Sequence, residues 1–426
     1  MIRLRVWANT RPMGWFGHAA GEYFFEYDPK WLAQPGGYVL APQFALSGGR
    51  SGERFSGALV RSFFENLLPE GGALDDVVNA LALRDPSAFE LLGRLGKDLP
   101  GVLSLLAEDA QPQLQQQYRP LQFAELSARL QSHRPLLVSN ESATMSLAGA
   151  QEKIGLRFDG PSESLFTSVG ASPTTHILKP DTRQLRYRPS AINEYACMTL
   201  ARAIKLPVPD VWLLRVPEAA YVVQRYDRAL VEGNIVSLHQ FDGCQLLGHG
   251  SGWKYQRQGG LVSLPKLVAA LRSLRVRGSD MLQLQRWVMF NYLIGNADAH
   301  AKNLSVLVDA NGFRLAPFYD LLCARAYSDD GSDGDSELAL YIGDESRFDA
   351  VGAHSWEALC SDCGFGFAPL LAEFRRMAVA LMPAWARVIE KLYKVPTTTQ
   401  AERAVLARMN QVFERHCAAA LSMTQT

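Results

Sequence analysis

The stretch FNYLIGNADAHAKNLSVLV, residues 290–308, is the most informative part of the sequence for fold and function. It places several polar side chains between two apolar runs. Asp298 lies five residues before Asn303, with His300 and Lys302 between them. Apolar runs of this kind are usually buried, and burying so many polar groups costs free energy unless they bind something. The stretch therefore predicts a ligand-binding loop. For Asp298 taken alone, the alternative is an ordinary loop or helix N-cap aspartate.

The spacing from Asp298 to Asn303 is that of the catalytic loop of protein kinases. There the aspartate takes the proton of the acceptor hydroxyl and the asparagine binds Mg²⁺. Further along the chain, PFYD places Asp320 where a second Mg²⁺ ligand is needed. Mg²⁺ prefers oxygen ligands and uses only one or two carboxylates, with phosphates and waters completing its shell. The three residues together predict Mg²⁺-dependent phosphoryl transfer.

Two upstream segments supply candidate phosphate contacts. In MSLAGAQEKIGLRF, residues 145–158, Gly149 and its alanine neighbours let backbone N–H groups approach phosphate oxygens closely. The segment lacks a GxGxxG pattern, so a tight surface turn is the alternative. In THILKP, residues 175–180, Lys179 has apolar neighbours, and a buried lysine needs a partner such as a triphosphate. Otherwise it extends outward from a strand end.

Two further predictions keep an alternative open. Glu194, early in the next helix, either pairs with Lys179 or is favoured there by the helix dipole. In YVVQRYDR, residues 221–228, the extended backbone near Gln224 is suited to hydrogen-bond an adenine edge, and Asp227 to bind the ribose hydroxyls. Alternatively, Arg225 and Asp227 form a structural ion pair.

The order of patterns along the chain predicts an α+β, bilobal protein-kinase-like fold. Short strand-like runs begin the chain, and a polar, glutamine-rich segment, residues 107–120, reads as a linker. Strands then surround a helix over residues 190–207, and after Gly260 the chain is mainly helical apart from a hairpin over residues 305–318. The predicted units are a small α/β accessory domain (1–137), a β-rich N-lobe with the phosphate loop (138–226) and a helical C-lobe (227–426).

Composition limits the function classes. The 426 residues carry 43 basic and 43 acidic side chains, so the formal charge is zero. A protein that binds nucleic acid alone usually has a basic excess, and DNA contact would therefore need a partner. No apolar run is long enough for a membrane helix, and a cytoplasmic protein is expected. Cys360 and Cys363 form a CxxC without a second ligand pair, which favours two plain thiols over a zinc site.

These motifs resemble the HipA family of toxin kinases over almost the whole chain. The segments SLAGAQEK, THILKP, NEYACM, VQRYDR, GNADAHAKN and PFYD occur in the family's order and spacing. GNADAHAKN fits the family form GNxDxHxKN and is the most specific of them. FFENLLPEGG, residues 63–72, resembles the family's accessory domain, so the chain is similar to the long form of the toxin.

The resemblance implies roles for individual residues, with ATP and Mg²⁺ as cofactors. Asp298 would be the catalytic base, Asn303 and Asp320 would hold Mg²⁺, and Ser146 would be the site of autophosphorylation. The nucleotide-binding residues it implies are Ala148, Gly149, Ala150, Gln151, Lys153, Lys179, Gln224, Tyr226, Asp227 and His300.

The resemblance also implies partners. The family's substrates are aminoacyl-tRNA synthetases such as glutamyl-tRNA synthetase, whose inactivation arrests translation and growth. A small DNA-binding antitoxin dimer holds the toxin, so DNA contact is made through the antitoxin. The acidic stretch SDDGSDGDSE, residues 328–337, departs from the pattern and is expected to be a mobile loop that alters substrate choice. Two alternatives remain. One is a kinase of a small molecule or lipid, and the other is a nucleotide-binding co-repressor scaffold whose role does not require catalysis.

Overall fold

The computed structural model of the chain describes residues 2–33, 36–46, 53–84, 86–132, 147–309, 312–327 and 336–424. Ser146 lies outside the described residues, as do residues 328–335 of the acidic stretch. The predictions made for Ser146 and for a loop at 328–335 are therefore not addressed by the structure.

The N-terminal region is an antiparallel sheet covered on one face by helices. Its elements are β1 (Ile2–Ala8), β2 (Arg11–Ala19), β3 (Glu22–Tyr27), β4 (Arg54–Ser56), α1 (Ala58–Glu65), α2 (Gly71–Ala80), α3 (Ala88–Leu95) and β5 (Leu103–Ala107). The strand order is β4-β3-β2-β1-β5. Alternation in β1 buries Leu4, Val6 and Ala8 and turns Arg3 and Arg5 to the other face, as the period of a strand requires. Helices α1 and α3 pack on the buried face.

A second antiparallel sheet follows, in the order β10-β11-β9-β7-β8-β6. Its elements are β6 (Tyr118–Leu121), α4 (Phe123–Gln131), β7 (Ile154–Asp159), β8 (Ser164–Ser168), β9 (His176–Pro180), α5 (Ala191–Ala203), β10 (Val211–Arg215) and β11 (Ala219–Gln224). Helix α5 begins after Ser190, as predicted, and packs on β10 and β11. The end of the polar segment 107–120 is strand β6 rather than linker, because it pairs with β8.

The remaining region is mainly helical. It comprises β12 (Arg228–Val231), β13 (Asn234–Ser237), β14 (His239–Asp242), α6 (Gly243–Leu247), α7 (Leu264–Ser273), α8 (Gly278–Leu293), β15 (Ser305–Asp309), β16 (Gly312–Leu315), β17 (Glu337–Ile342), β18 (Glu345–Arg347), α9 (Ala353–Cys363), α10 (Phe367–Lys394) and α11 (Gln400–Met423). Strands β15 and β16 form the predicted hairpin. The α+β class is confirmed, whereas the predicted domain boundaries stay predictions.

Two apolar cores hold these parts together. The larger is continuous from the N-terminal sheet, through residues such as Phe16 and Phe64, to the helical region, through residues such as Trp287 and Phe413. The smaller lies under the second sheet and includes Leu156 and Val222. The N-terminal region shares its core with the helical region and is therefore held next to it. Its side chains can reach the space between the helical region and the second sheet.

Candidate active site

A cavity of about 260 Å³ is bordered by the second sheet, the helical region and the N-terminal region. Its lining includes every described residue for which the sequence predicts a role in phosphoryl transfer: Ala148, Gly149, Ala150, Gln151, Lys153, Lys179, Gln224, Tyr226, Asp227, Asp298, His300, Asn303 and Asp320. The structure thus brings together residues separated by up to 172 positions in the sequence (320 − 148). Their individual roles remain predictions.

Asp298 lies in a loop that begins where α8 ends. The Oδ1 of Asn296 accepts a hydrogen bond from the Asp298 N–H at 3.1 Å, and the Asn296 amide donates to Asn291 Oδ1 at 2.7 Å. Gly295 has φ +64°, and a Cβ there would lie 2.8 Å from a side-chain atom of α11, so only glycine fits. The Tyr255 hydroxyl donates to Asp298 Oδ1 at 2.5 Å. These contacts fix the carboxylate towards the cavity.

His300 and Asn303 each present a buried polar atom without a protein partner. The Asn303 amide donates to the Asp298 carbonyl at 3.4 Å, but Asn303 Oδ1 has no hydrogen-bond partner among the described residues. The same holds, within those ranges, for His300 Nδ1. Burial lowers the pKa of His300, which keeps the imidazole neutral near pH 7. Both residues line the cavity.

A triad of paired charges, formed by Lys179, Glu194 and Asp320, also borders the cavity; Lys179 and Glu194 are buried, whereas the Asp320 side chain is 33% exposed. Lys179 on β9 is 4% exposed, so it does not extend outward. Its Nζ lies 2.7 Å from Glu194 Oε1 on α5 and also contacts the Asp320 carboxylate. Glu194 therefore pairs with Lys179, which is one of the two alternatives that the sequence left open. Asp320 adopts φ +53°, an uncommon backbone conformation for an aspartate, which fits a functional position.

The pKa values of this triad are set by burial and by mutual attraction. Burial disfavours charge on all three groups. For Lys179 the two carboxylates outweigh burial and hold the pKa above its ordinary value. For Asp320 the Lys179 ammonium outweighs burial and holds the pKa well below its usual range. For Glu194 burial wins and raises the pKa to about 7.

Lys153 closes the predicted phosphate loop on itself. Its Nζ donates to the Ala148 carbonyl at 2.7 Å. Gly149 has φ +109°, and a Cβ there would lie 2.8 Å from Lys153 Nζ, so the turn requires glycine. Burial, assisted by repulsion from Lys179, lowers the pKa of Lys153 to about 8. An anion bound beside Lys153 would stabilise its charged form and raise this pKa again.

The end of β11 carries the residues predicted to contact adenine. The Gln224 N–H donates to the Asp210 carbonyl at 2.9 Å. The Tyr226 ring stacks on Tyr319, with centroids 5.3 Å apart, and its hydroxyl donates to Gln240 Oε1 at 3.2 Å. An aromatic pair at the cavity edge suits a planar base, and the adenine contact stays a prediction.

Asp227 belongs to a dense network of ion pairs. Arg225 donates to both of its oxygens, at 3.0 and 2.9 Å, and the Gly101 N–H donates at 2.6 Å. Arg228 pairs with Asp98 at 2.5 Å. Although burial opposes charge, Arg225 and Arg228 lower the pKa of Asp227 to about 2. The structural ion pair, one of the two sequence alternatives, is present, and a ribose contact by Asp227 remains a prediction.

Sequence reasoning missed several residues that line the cavity. Asn66 and Glu70 come from the N-terminal region, and Lys254 and Tyr255 from the segment before α7. Lys302, noted within the motif without a role, contacts Asn66, Glu70 and Asp242. The polar residues inside the apolar run FFENLLPEGG were a usable signal. Nothing in the local pattern distinguishes Tyr255.

Two negative findings apply to the residues that the structure describes. Within those ranges no group of three or more His, Cys, Asp or Glu side chains is arranged to hold a metal ion, and Cys360 and Cys363 lie buried on α9. In the same ranges, every helix is too short or too polar to cross a membrane.

Comparisons with known proteins agree with the motif resemblance. The family model of the HipA-like C-terminal domain matches residues 145–392, and that of the HipA N-terminal domain matches residues 4–106. A Sinorhizobium fredii protein named "Putative kinase Y4mE" is 35% identical over 91% of this chain and 92% of its own length. The Shewanella oneidensis "Serine/threonine-protein kinase toxin HipA" is 30% identical over 88% of this chain and 86% of its own length.

A solved structure agrees over the full length. The complex of Shewanella oneidensis HipA, HipB and operator DNA contains a chain that superposes with a TM-score of 0.83 at 25% identity, covering 99% of this chain and 98% of that chain. The predicted bilobal kinase-like fold and the family resemblance are thereby confirmed, and kinase homology implies the use of ATP. The chain belongs to the HipA family of serine/threonine-protein kinases.

Proposed function

We propose that this protein is the toxin of a toxin–antitoxin module and transfers the γ-phosphate of Mg-ATP to a serine or threonine of a protein substrate. In this proposal Asp298 orients the acceptor hydroxyl and takes its proton. Lys179 and Lys153 hold the phosphates, and Asn303 and Asp320 hold Mg²⁺. The nucleotide is also contacted by Ala148, Gly149, Ala150, Gln151, Gln224, Tyr226, Asp227 and His300.

The proposal rests on one observation: a cavity collects a loop carboxylate, two buried lysines and two buried polar atoms that have no protein partner among the described residues. A buried polar atom left unpaired costs about 1–3 kcal/mol. His300 Nδ1 and Asn303 Oδ1 both carry such a cost unless a ligand occupies the cavity. The same set of groups, held by different elements, is what phosphoryl transfer requires, since its catalysis comes from positioning and charge stabilisation.

The donor set fits Mg²⁺ bound with a nucleotide. Asn303 Oδ1 is a neutral oxygen without a protein partner in the described ranges, and Asp320 adds a carboxylate that stays ionised. Mg²⁺ takes few protein ligands and completes its shell with phosphate oxygens and waters. When bound, the ion would neutralise charge on the phosphates. Lys179 contacts Asp320 in this structure and so keeps its carboxylate oriented towards the cavity.

The target and the partner follow from the family. An aminoacyl-tRNA synthetase, such as glutamyl-tRNA synthetase, is the proposed substrate, and its phosphorylation in the cytoplasm would arrest translation and growth. The matching solved structure is a complex with HipB and operator DNA, which supports a small DNA-binding antitoxin dimer as the partner. The net charge of zero supports DNA contact through that partner and not through this chain alone.

Ser146 is the proposed site of autophosphorylation. It lies three residues before Gly149, in the predicted phosphate loop. A phosphoserine adds a charge of about −1.5 to −2. Placed beside the site of the ATP phosphates, that charge would expel the loop and silence the enzyme.

The decisive experiment is mass spectrometry of the purified protein after incubation with Mg²⁺ and ATP. We expect phosphate on Ser146 in the wild type and in Asp344→Ala, whose side chain is exposed and distant in sequence from the motifs. Asp298→Ala should carry none, because it lacks the base.

The other outcomes separate the alternatives. ATP binding without any phosphoprotein, in either the wild type or the Asp344→Ala control, would contradict the proposal. Turnover stimulated only by a metabolite would indicate a small-molecule kinase. Operator repression that persists unchanged in Asp298→Ala, together with unchanged toxicity, would indicate a co-repressor scaffold.

A further inference from the structure

Residues 66–70, the loop between α1 and α2, reach from the N-terminal region into the cavity; we name them the 66–70 segment. The Asn66 amide donates to the His249 carbonyl at 2.8 Å. The Lys302 ammonium, in the catalytic loop, donates to Asn66 Oδ1 at 2.8 Å and to the Asn66 carbonyl at 3.0 Å. Asn66 is 2% exposed, so these are buried contacts. The segment is thereby attached to the loop that carries Asp298.

Glu70 extends this attachment through charge. Its Oε2 accepts a hydrogen bond from Lys254 at 2.8 Å, and its Oε1 lies 3.4 Å from the Lys302 ammonium. The Glu70 side chain is 13% exposed. Although burial alone would raise its pKa, Lys302 and Lys254 hold the pKa below its usual value. One carboxylate thus lies between two cationic side chains that both line the cavity.

The same segment also holds the phosphate loop. Pro69 and Gly149 form a parallel β-bridge, in which the Glu70 N–H donates to the Gly149 carbonyl at 3.1 Å. Gly149 belongs to the loop closed by Lys153. A short piece of the N-terminal region therefore contacts both the phosphate loop and the catalytic loop.

Lys254, which pairs with Glu70, is also linked to the predicted catalytic base Asp298. The Lys254 carbonyl accepts a hydrogen bond from the Ala301 N–H at 3.1 Å, within the catalytic loop. Its neighbour Tyr255 donates to Asp298 Oδ1. A displacement of Lys254 would therefore be transmitted to Asp298 both through the backbone and through Tyr255.

We propose that the 66–70 segment completes the active site from the N-terminal region, and that Glu70 is a positioning residue. It holds the Lys254 and Lys302 side chains in place beside the catalytic loop. The inference rests on the kinase function proposed above and assigns part of that function to a region outside the two lobes. Glu70 itself does not bind the nucleotide: it acts through the lysines.

The test uses Glu70→Gln, which keeps the side chain's size and removes its charge. The rate of phosphate incorporation into the full-length protein is measured at increasing Mg-ATP, giving a maximum rate and a half-saturating ATP concentration. We expect the maximum rate to fall at least about tenfold, because a misplacement of ~1 Å can cost about 100-fold. The half-saturating concentration should not rise, because the lysine charges that attract phosphates remain.

Glu65→Gln is the matched control on the adjoining helix. Glu65 pairs with Arg61 at 2.7 Å on the surface, 36% exposed, and its loss should leave the maximum rate unchanged. Lys254→Gln, a second variant, should also lower the maximum rate. The loss in the double variant should be smaller than the product of the two single losses, because both changes break the Glu70–Lys254 contact.

Each other result has a definite meaning. An unchanged maximum rate in Glu70→Gln, or losses that multiply in the double variant, would overturn the inference. So would a loss of ATP binding and thermal stability in proportion to the loss of rate, which would mark a purely structural contact. If Glu70→Gln fails to fold, Lys254→Gln takes its place, and its maximum rate is compared with its thermal stability in the same way. A wild type that incorporates no phosphate would refute the proposed function itself, a result distinct from all of these.

Discussion

Two clusters of buried charge border the cavity, and they differ in how completely their charges are matched. The cleft cluster consists of Lys153, Lys179, Glu194 and Asp320. The strand cluster consists of Asp98, Arg225, Asp227 and Arg228. Both contain two acids and two bases, and both are almost fully buried apart from Asp320, whose side chain is 33% exposed.

In the strand cluster the guanidinium groups meet the carboxylates directly, at 2.5 to 3.4 Å. The attraction outweighs burial and holds the pKa of Asp98 below its usual value and that of Asp227 at about 2. In the cleft cluster burial wins for two members, so the pKa of Lys153 falls to about 8 and that of Glu194 rises to about 7. The two clusters therefore differ in how well their charges are compensated, and the less compensated one contains the two lysines proposed to hold the phosphates.

The largest effect is expected from breaking the strand cluster. Arg225→Met leaves Asp98 and Asp227 with one cation between them, and removing one partner of a buried ion pair costs about 3–5 kcal/mol. Urea denaturation of the full-length protein would measure the loss. Arg61→Met is the control, because its exposed pair with Glu65 contributes about 1 kcal/mol at most. Equal stability of the two variants would show that the strand cluster contributes no more than a surface pair.

Breaking the cleft cluster should instead affect catalysis. Lys179→Met removes a cation placed for developing phosphate charge, and losing one such group costs about 100- to 1,000-fold in rate. Its loss of stability should be smaller than that of Arg225→Met, because Glu194, with a pKa of about 7, can take up a proton once its partner is gone. The rate of phosphate incorporation and the urea midpoint are both measured. A variant that keeps its rate but unfolds readily would reverse the assignment of the two clusters.

The intermediate effect is a pH dependence of nucleotide affinity. Burial lowers the pKa of Lys153 to about 8, so the side chain is charged below that pH and neutral above it. If phosphate binding needs the charge, the affinity for Mg-ATP should weaken by about tenfold between pH 7 and pH 9. Lys179 should not contribute to this change, because its pKa is raised.

Equilibrium binding of Mg-ATP at pH 7, 8 and 9 would check this expectation. Lys153→Met should bind weakly and with little dependence on pH, whereas Lys30→Met, at an exposed position, should behave as the wild type. An affinity that is constant over this range in the wild type would show that Lys153 does not act through its charge.

The sequence predicts local features of the fold and of the site better than contacts between distant segments. The grouping of Asp298, Asn303 and Asp320 in one cavity was predictable because spacing within one motif, and a short segment after it, encodes their relation. Helix α5 and the hairpin β15–β16 were identifiable from a serine before the helix, a proline after it and an Asn-Gly turn. These signals are local, and local geometry is what residue patterns report.

Contacts across long sequence separations were not predictable. Asp98 meets Arg225 across 127 positions, and Glu70 meets Lys302 across 232 (302 − 70), so no periodicity or spacing connects them. The packing of the N-terminal region against the segment that follows β11 brings Asp98 to Arg225.

The smallest effect is expected from Thr174, a neutral residue that hydrogen-bonds to two members of the strand cluster. The Thr174 hydroxyl donates to Asp98 Oδ2 at 2.7 Å and accepts from Arg225 Nη1 at 2.9 Å. Thr174→Val keeps the shape but removes both bonds, which should cost about 1–3 kcal/mol of stability and leave the maximum rate unchanged. The urea midpoint and the rate of phosphate incorporation are measured together. A lower rate at unchanged stability would mean that Thr174, through Arg225, also positions Asp227 for the nucleotide contact proposed above.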